Sequence, residues 1–514
     1  MILMLLILIV AAGAITAGLL GRLNPLWARL WSLLVLIGAL VIVVFLWFKF
    51  YGAGLSSDGW YIQARWDWIP QFGVCFHLAL DGLSLLFIVL TAFLGVVSVI
   101  VSWNEIVERV GLFHFHLLLT LAGITGVFLA VDLFAFYFFW ELMLIPMYFL
   151  IALWGHEDRR FAAIKFFIFT QAGGLLMLLS IIGLYFIHGR PYTFELSKLA
   201  STPVSSAAGM WLMLGFFAAF GVKLPVIGLH TWLPDAHTQA PTAGSVILAG
   251  LLLKTGGYGF IRFVLTLFPD AAHTFAPVAA ILATAGILYG AMTSFAQTDF
   301  KRYVALTSVS HLGFVLLGVF SGNHLALLGA VVVMLAHGLS TGALFIVAGM
   351  LHQRLGTRDI NSMGGLLTVM PRMGGVAIFF ALASMGLPGL GNFVGEFMVL
   401  AGSYAAFPSA VVVSSFVLVL SVIYSLWLVY RAFQGPTRGQ KHVSDLNLVE
   451  MGVFSVMIAG LLWIGLYPRP VLKTIEPALR KTENVQSKSQ IPNTNLQTNS
   501  KFKIPIASNS SFDF

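Results

Sequence analysis

The chain has 514 residues, of which 59% are hydrophobic and only 9% charged, with a formal net charge of +8. Soluble domains carry about a quarter charged residues, so this composition excludes a string of ordinary soluble domains. The single cysteine, Cys75, excludes a disulfide framework and any all-cysteine zinc or iron–sulfur site, and neither glycine-rich phosphate loop occurs.

The apolar surplus is distributed in runs of roughly 20 residues, the length a helix needs to cross a hydrocarbon core about 30 Å thick. A membrane barrel would show short alternating segments instead. The expected fold class is therefore an all-α polytopic membrane protein. In chain order the runs give about fourteen spans, near 3–20, 29–50, 83–103, 111–130, 133–154, 162–187, 210–230, 242–266, 275–293, 303–320, 325–350, 372–403, 408–431 and 450–468. The opening Met1-Ile2-Leu3-Met4 lacks the basic region of a signal peptide, so the first run reads as a retained helix. Residues 51–80 are too polar to cross, and their Trp60, Trp66 and Trp68 suit the membrane–water interface. Asp81 and Asp132 stand at helix starts, where capping is the expected role.

The fifth run carries Glu141 inside Phe138-Phe139-Trp140-Glu141-Leu142-Met143, and the seventh carries Lys223 two residues before Pro225. The eighth holds Lys254, the tenth His311 and the eleventh His337. In the twelfth, Pro388, Gly389 and Gly391 precede Glu396. A charge at mid-bilayer costs about 2.5–3.5 kcal/mol on insertion scales, so each needs a reason. A structural Glu–Lys pair or a snorkelling lysine would explain one or two of these residues. Ionisable groups on six different spans instead suit a proton relay. His230 and His237 flank a proline-containing turn beside Asp235, but they lack a third ligand, and no metal site is expected. His114 and His116 are two apart and do not share a helix face. Residues 475–514, rich in Ser, Asn, Lys and Gln, read as a disordered polar tail.

Helix breakers stand beside the charge in spans seven and twelve, five helices apart. An odd repeat length requires the second copy to be inverted in the membrane, as in many transporters. Spans 4–8 and 9–13 are then expected to form inverted five-helix repeats, with Glu141 matching His311 and Lys223 matching Glu396. The corresponding regions are 1–110, with three helices, 111–266 and 275–431 for the two repeats, 450–474 for the last helix, and the tail. Basic residues concentrate in odd-numbered loops: Arg22, Arg29, Arg109, Arg159, Arg160, Lys301, Arg302, Arg354, Arg358, Arg431, Arg438 and Lys441. Even-numbered loops hold fewer, namely Lys49, Arg65, Arg190, Lys198 and the borderline Arg262. The positive-inside rule puts the odd loops in the cytoplasm and both termini outside. It also explains the net charge, so nucleic acid is not an expected partner.

At these residues the chain resembles the antiporter-like subunits of respiratory complex I, the proton-pumping NADH–quinone oxidoreductase. The likeness runs from Met1 to about Lys473. It is most specific in Trp140-Glu141-Leu142-Met143-Leu144-Ile145-Pro146, in Gly221-Val222-Lys223-Leu224-Pro225 through Asp235-Ala236-His237, and in Gly389-Leu390-Gly391-Asn392-Phe393-Val394-Gly395-Glu396. Ala240-Pro241-Thr242-Ala243-Gly244-Ser245, Leu253-Lys254-Thr255-Gly256-Gly257, Asp299-Phe300-Lys301-Arg302 and Ser310-His311-Leu312-Gly313 add to it. Glu396, where the family's L and N members carry lysine, and the chain length set it apart from those two.

The resemblance implies that Glu141 pairs with Lys223 near a cytoplasmic entry. It implies that Lys254, His311 and His337 form a central hydrated axis, and that Glu396 serves the far half-channel. Making or breaking the Glu141–Lys223 pair would load and unload the lysine. No cofactor is expected on this chain; FMN, iron–sulfur clusters and quinone would belong to other subunits. The implied partners are the lipid bilayer, neighbouring subunits L and N, and indirectly the hydrophilic redox arm. The implied location is a bacterial cytoplasmic membrane. A subunit of a multisubunit cation/proton antiporter is the alternative, and a passive membrane scaffold is a third possibility.

Overall fold

The structure is a computed structural model that describes residues 1–56, 58–437 and 443–489, with side chains to Thr482. Among these residues thirteen helices are long and apolar enough to cross a membrane. The helices are α1 (Ile2–Leu23), α2 (Pro25–Phe50), α3 (Gly82–Val101), α4 (Val110–Leu129), α5 (Leu133–Trp154) and α6 (Arg159–His188). The seventh crossing is α7 (Ser206–Lys223) followed, after a break, by the short α8 (Trp232–Gln239). Then come α9 (Thr242–Leu267), α10 (Pro269–Phe295), α11 (Phe300–Phe320) and α12 (His324–Leu355). The twelfth crossing is two half-helices, α13 (Pro371–Ser384) and α14 (Gly391–Ser403). Helices α15 (Pro408–Phe433) and α16 (Leu448–Leu466) follow. The helices lie close to the expected runs: thirteen are long enough to cross singly, and the run expected over 372–403 is divided between α13 and α14.

Helix ends are set by local chemistry. Asp81 accepts the backbone N–H of Ser84, Asp132 those of Phe134 and Ala135, and Asn323 that of Ala326. Asn447 and Glu450 form a reciprocal capping box at the start of α16. Helix α12 stops at Gly356, whose φ of 71° suits a residue without a Cβ.

One apolar core extends from Leu3 to Leu479. The most apolar 18-residue stretches of α9 and α12 are entirely buried, against about a third for α2 and α16. Helices α9 and α12 are thus interior, which places Lys254 and His337 away from lipid.

Two regions depart from the expected plan. Residues 51–80 contain an antiparallel hairpin of β1 (Ile62–Ile69) and β2 (Val74–Leu80), so the fold is not purely helical. Its turn passes through Pro70 and the left-handed Gly73. The polar tail expected over 475–514 is instead helical as far as Ser489, in α17 (Arg469–Ser489). Val471, Ile475, Ala478, Leu479 and Thr482 are buried on one face of α17, while Glu476 and Arg480 pair on the exposed face. A charge-rich composition concealed this stripe of helical period. The rest of the expected tail, from 490 onward, lies outside the described residues, as do Arg438 and Lys441.

Candidate functional site

The break after α7 follows directly from Pro225, which has no N–H to continue the helix. Gly221 O receives the N–H of Val226 at 2.8 Å, one residue further along than α-helical geometry would have it. Val222 O is bonded by the indole N–H of Trp232 at 3.0 Å. The backbone carbonyls freed around Lys223 are therefore satisfied inside the protein, as mid-membrane irregularity requires. The second break is handled in the same way. Leu387 N–H reaches Leu382 O at 3.2 Å, and Ser421 Oγ donates to Met385 O at 3.1 Å. Gly386 and Gly389 take left-handed backbone in the turn around Pro388.

Lys223 is fully buried at the end of α7, and its Nζ has no hydrogen-bond partner among the described residues. It lies over the rings of Phe166 and Trp140, at 5.1 and 5.6 Å from their centroids. Ring faces attract a cation, and this partly replaces the lost water. Glu141 on α5 lies within electrostatic reach of Lys223, and its Oε1 is buried without a hydrogen-bond partner among the described residues. The expected Glu141–Lys223 pair is thus a charge pair without direct contact. Gly174 leaves room for it, since a Cβ there would stand 2.8 Å from Glu141 Oε1.

Lys254 lies in the middle of α9, between two π-helical turns, Leu248–Leu252 and Phe260–Val264. A π turn displaces carbonyls from their usual partners, and Lys254 Nζ donates to one of them, Ala249 O. Its other partner is His337 Nδ1 on α12, at 2.6 Å. The His337 ring lies 5.9 Å from that of His311 on α11, centroid to centroid. His311 Nδ1 is 2.7 Å from Glu396 Oε1 on α14, and its Nε2 is 3.1 Å from Ser384 Oγ. His337 Nε2 is buried and has no partner among the described residues. Lys254, His337, His311 and Glu396 form one buried line, and its links of 2.6 and 2.7 Å are of hydrogen-bond length. Glu141 and Lys223 stand beside the start of this line. Gly256 brings α9 against the end of α7, because a Cβ there would lie 2.6 Å from Phe220 O and 3.1 Å from Lys223 Cβ.

The sequence reading missed several polar groups. His237 on α8 is fully buried, with neither ring nitrogen partnered among the described residues, and its ring is stacked 4.5 Å from that of Phe345. It lies within the electrostatic reach of both Lys254 and Lys301. Lys301, read as a loop charge, is fully buried and donates to Ala240 O at 2.8 Å. Glu105 binds the start of α9 through the backbone N–H and hydroxyl of Thr242, each at 2.9 Å. Asp235 joins Lys165 and Arg302, at 2.6 and 2.8 Å. Arg262, borderline in the loop count, is a buried ion-pair partner of Asp81 at 2.6 Å. Its signal was the spacing Lys254, Tyr258, Arg262, which puts all three on one face of α9; Tyr258 Oη accepts from Arg262 Nε at 3.1 Å.

Residues 130–423 match the family model described as NADH:quinone oxidoreductase/Mrp antiporter, TM. Over 463 residues the chain is 51% identical to the NADH-quinone oxidoreductase subunit M of Pseudomonas aeruginosa, covering 87% of this chain and 90% of that one. It is also 51% identical to the subunit M of Escherichia coli K12 over 431 residues, covering 82% and 85% of the two. Among solved structures it superposes on a chain of respiratory complex I from Thermus thermophilus with bound NADH. That match has a TM-score of 0.82 at 31% identity, covering 94% of this chain and 99% of the other. A chain of the Mrp complex from Dietzia sp. shares the fold, with a TM-score of 0.81 at 23% identity, covering 95% of this chain and 52% of the other. A matched model over more than half the chain, long alignments at half identity and a shared fold all agree: the chain belongs to the NADH:quinone oxidoreductase/Mrp antiporter family of membrane proteins.

Proposed function

We propose that this chain is the proton-translocating membrane subunit of an NADH–quinone oxidoreductase, moving protons along the buried line of Glu, Lys and His side chains. The observation that carries this reading is the Lys254–His337–His311–Glu396 line, four ionisable groups on four helices sealed from lipid. Redox chemistry belongs elsewhere in the complex: FMN, iron–sulfur clusters and quinone are held by other subunits. Glu141 and Lys223 serve the cytoplasmic entry, Lys254, His337 and His311 the centre, and Glu396 the outer half-channel. The parallel breaks after Lys223 and before Glu396 support two inverted five-helix repeats. Glu141 beside Lys223 in one repeat and His311 beside Glu396 in the other are consistent with them.

The energetics are in range. One proton moved against roughly 150–200 mV costs about 3.5–4.6 kcal/mol, at about 2.3 kcal/mol per 100 mV. Modulating one charge pair in a low-dielectric interior supplies energy of that order. The neighbouring partners are antiporter-like subunits L and N, in a bacterial cytoplasmic membrane, with both termini of this chain outside. Glu396 favours this reading over a cation/proton antiporter subunit, whose relatives usually have lysine there.

The test is NADH-driven proton uptake by inverted membrane vesicles carrying His337→Ala or Glu396→Gln, with assembly checked by native gels. Assembled complexes with proton uptake reduced at least tenfold are expected. Normal uptake by both variants would remove the buried line from the pathway. Sodium/proton exchange without NADH dependence would establish the antiporter reading instead.

A further inference from the structure

We propose that the cleft between the ends of α1 and α4 binds the headgroup of an anionic phospholipid, with Arg22 and Arg109 as its phosphate clamp. A cavity of about 470 Å³ opens there, with both arginines in its lining. Its floor is a backbone contact: a Cβ on Gly111 would lie 2.7 Å from Gly21 Cα, so the two helices touch at this level. Its wall continues along the membrane direction as Leu19, Ile15 and Leu112, which are 54%, 58% and 39% exposed. The cleft therefore has two cations at the helix ends and an apolar track leading from them into the bilayer region, the layout of a lipid with its head at the interface.

The charges are available to a ligand. Neither arginine has a hydrogen-bond or ion-pair partner for its side chain among the described residues, and both are exposed. Glu105 is committed to Thr242, and among the described residues Glu108 makes no ion pair with either arginine. Arg29, the third cation of this end, is engaged elsewhere: it donates to Ile106 O and lies over Trp103. Arg109 is also the one non-glycine residue with positive φ among those described, at 50°. Glycine would occupy that backbone at less cost, so the arginine side chain is what the position retains. Guanidinium groups match phosphate oxygens in bidentate geometry, and basic pockets between transmembrane helices on the cytoplasmic side suit anionic headgroups. The positive-inside reading places these helix ends on that side.

The experiment uses the whole purified complex in phosphatidylcholine vesicles with and without phosphatidylglycerol. A phosphatidylglycerol analogue with a photoreactive group near its headgroup is cross-linked, and labelled peptides are mapped by mass spectrometry. Labelling at the ends of α1 and α4 is expected. It should be competed by phosphatidylglycerol but not by phosphatidylcholine, fall at least fivefold in R22Q/R109Q, and persist in R22K/R109K. If the double variant fails to assemble, R22Q alone is read and should lose at least half of the labelling. Three results overturn the proposal: no labelling there, equal competition by phosphatidylcholine, or labelling unchanged in the glutamine variants. Cross-linking of Arg22 or Arg109 to an acidic side chain of a neighbouring subunit would overturn it as well, and would identify a protein interface.

Discussion

Among the described residues Lys223 Nζ meets the faces of Phe166 and Trp140 and no hydrogen-bond partner, so in the proposed pathway its proton is the one to be exchanged. Lys223→Arg keeps the charge but cannot give up the proton, because a guanidinium stays protonated in proteins. We expect it to pump nearly as poorly as Lys223→Ala in NADH-energised vesicles; normal pumping by the arginine variant would refute a titrating lysine. Outside the spans, burial pushes the Asp132 carboxyl up to about 6, against the pull of the N–H groups of Ala135, Cys75 and Phe134. A folded-state value above the unfolded one means that its stabilising contribution is complete below the unfolded value and is lost as pH rises through about 6. Hairpin amides near Cys75 should therefore open more readily as pH rises from about 4 to about 6, by up to about 3 kcal/mol over the whole titration. Hydrogen exchange corrected for intrinsic rates should show this slope in the native chain and its absence in Asp132→Asn. The residues of the proposed relay were legible because a charge in an apolar run is conspicuous. His237 was not, since its Pro234-Asp235 neighbourhood reads as a loop until α8 is seen folded inward. Lys301 was misassigned because it stands at the first turn of α11, where sequence cannot separate a surface position from a buried one.

At the scale of helices, the informative features are breaks and close approaches. Prolines and glycines announced both breaks, but what satisfies the freed carbonyls comes from distant residues such as Trp232 and Ser421. Trp232→Phe leaves Val222 O buried without a donor, at a cost of about 1–3 kcal/mol. The expected outcome is a lower melting temperature of the assembled complex and weaker pumping, with NADH oxidation less affected. Gly256→Ala forces a methyl against backbone atoms that cannot rotate away, 2.6 Å from Phe220 O and 2.7 Å from Leu224 N. It should destabilise by about 1–3 kcal/mol and displace Lys223, whereas Gly38→Ala, facing open space, should be silent. Equal melting temperatures for the two alanine variants would refute the close approach. The π turns flanking Lys254 left no trace in the sequence, because Leu, Ala and Gly are equally at home in an α-helix.

For the molecule as a whole, α17 and the hairpin act as fastenings on one end of the bundle. Thr474 Oγ1 accepts from Trp47 Nε1 at 2.9 Å, and Lys481 lies 4.6 Å from the Trp60 ring centroid while donating to Asp58 O. The other face of this cluster is the Asp81–Arg262 pair, with the guanidinium 4.9 Å from the Trp60 ring centroid. Arg262→Ala would strand a buried carboxylate, for which about 3–5 kcal/mol is typical, while the double change with Asp81→Asn should recover part of it. Thermal denaturation of the assembled variants measures both; additive losses would show that the two residues do not depend on each other. The apolar runs revealed the helical bundle, and the charges inside those runs marked residues that the structure brings together. It misjudged α17, where a narrow apolar stripe is outvoted by the polar residues around it.

The complete enclosure of α9 and α12 has a mechanical corollary. Hydrophobic mismatch acts on helices that touch acyl chains, tilting them as the bilayer thickens or thins. These two have no such face left, so the Lys254–His337 contact is insulated from changes in membrane thickness. Turnover should then vary little between short- and long-chain lipids, with the adjustment absorbed by tilting of the outer helices α1, α2 and α16.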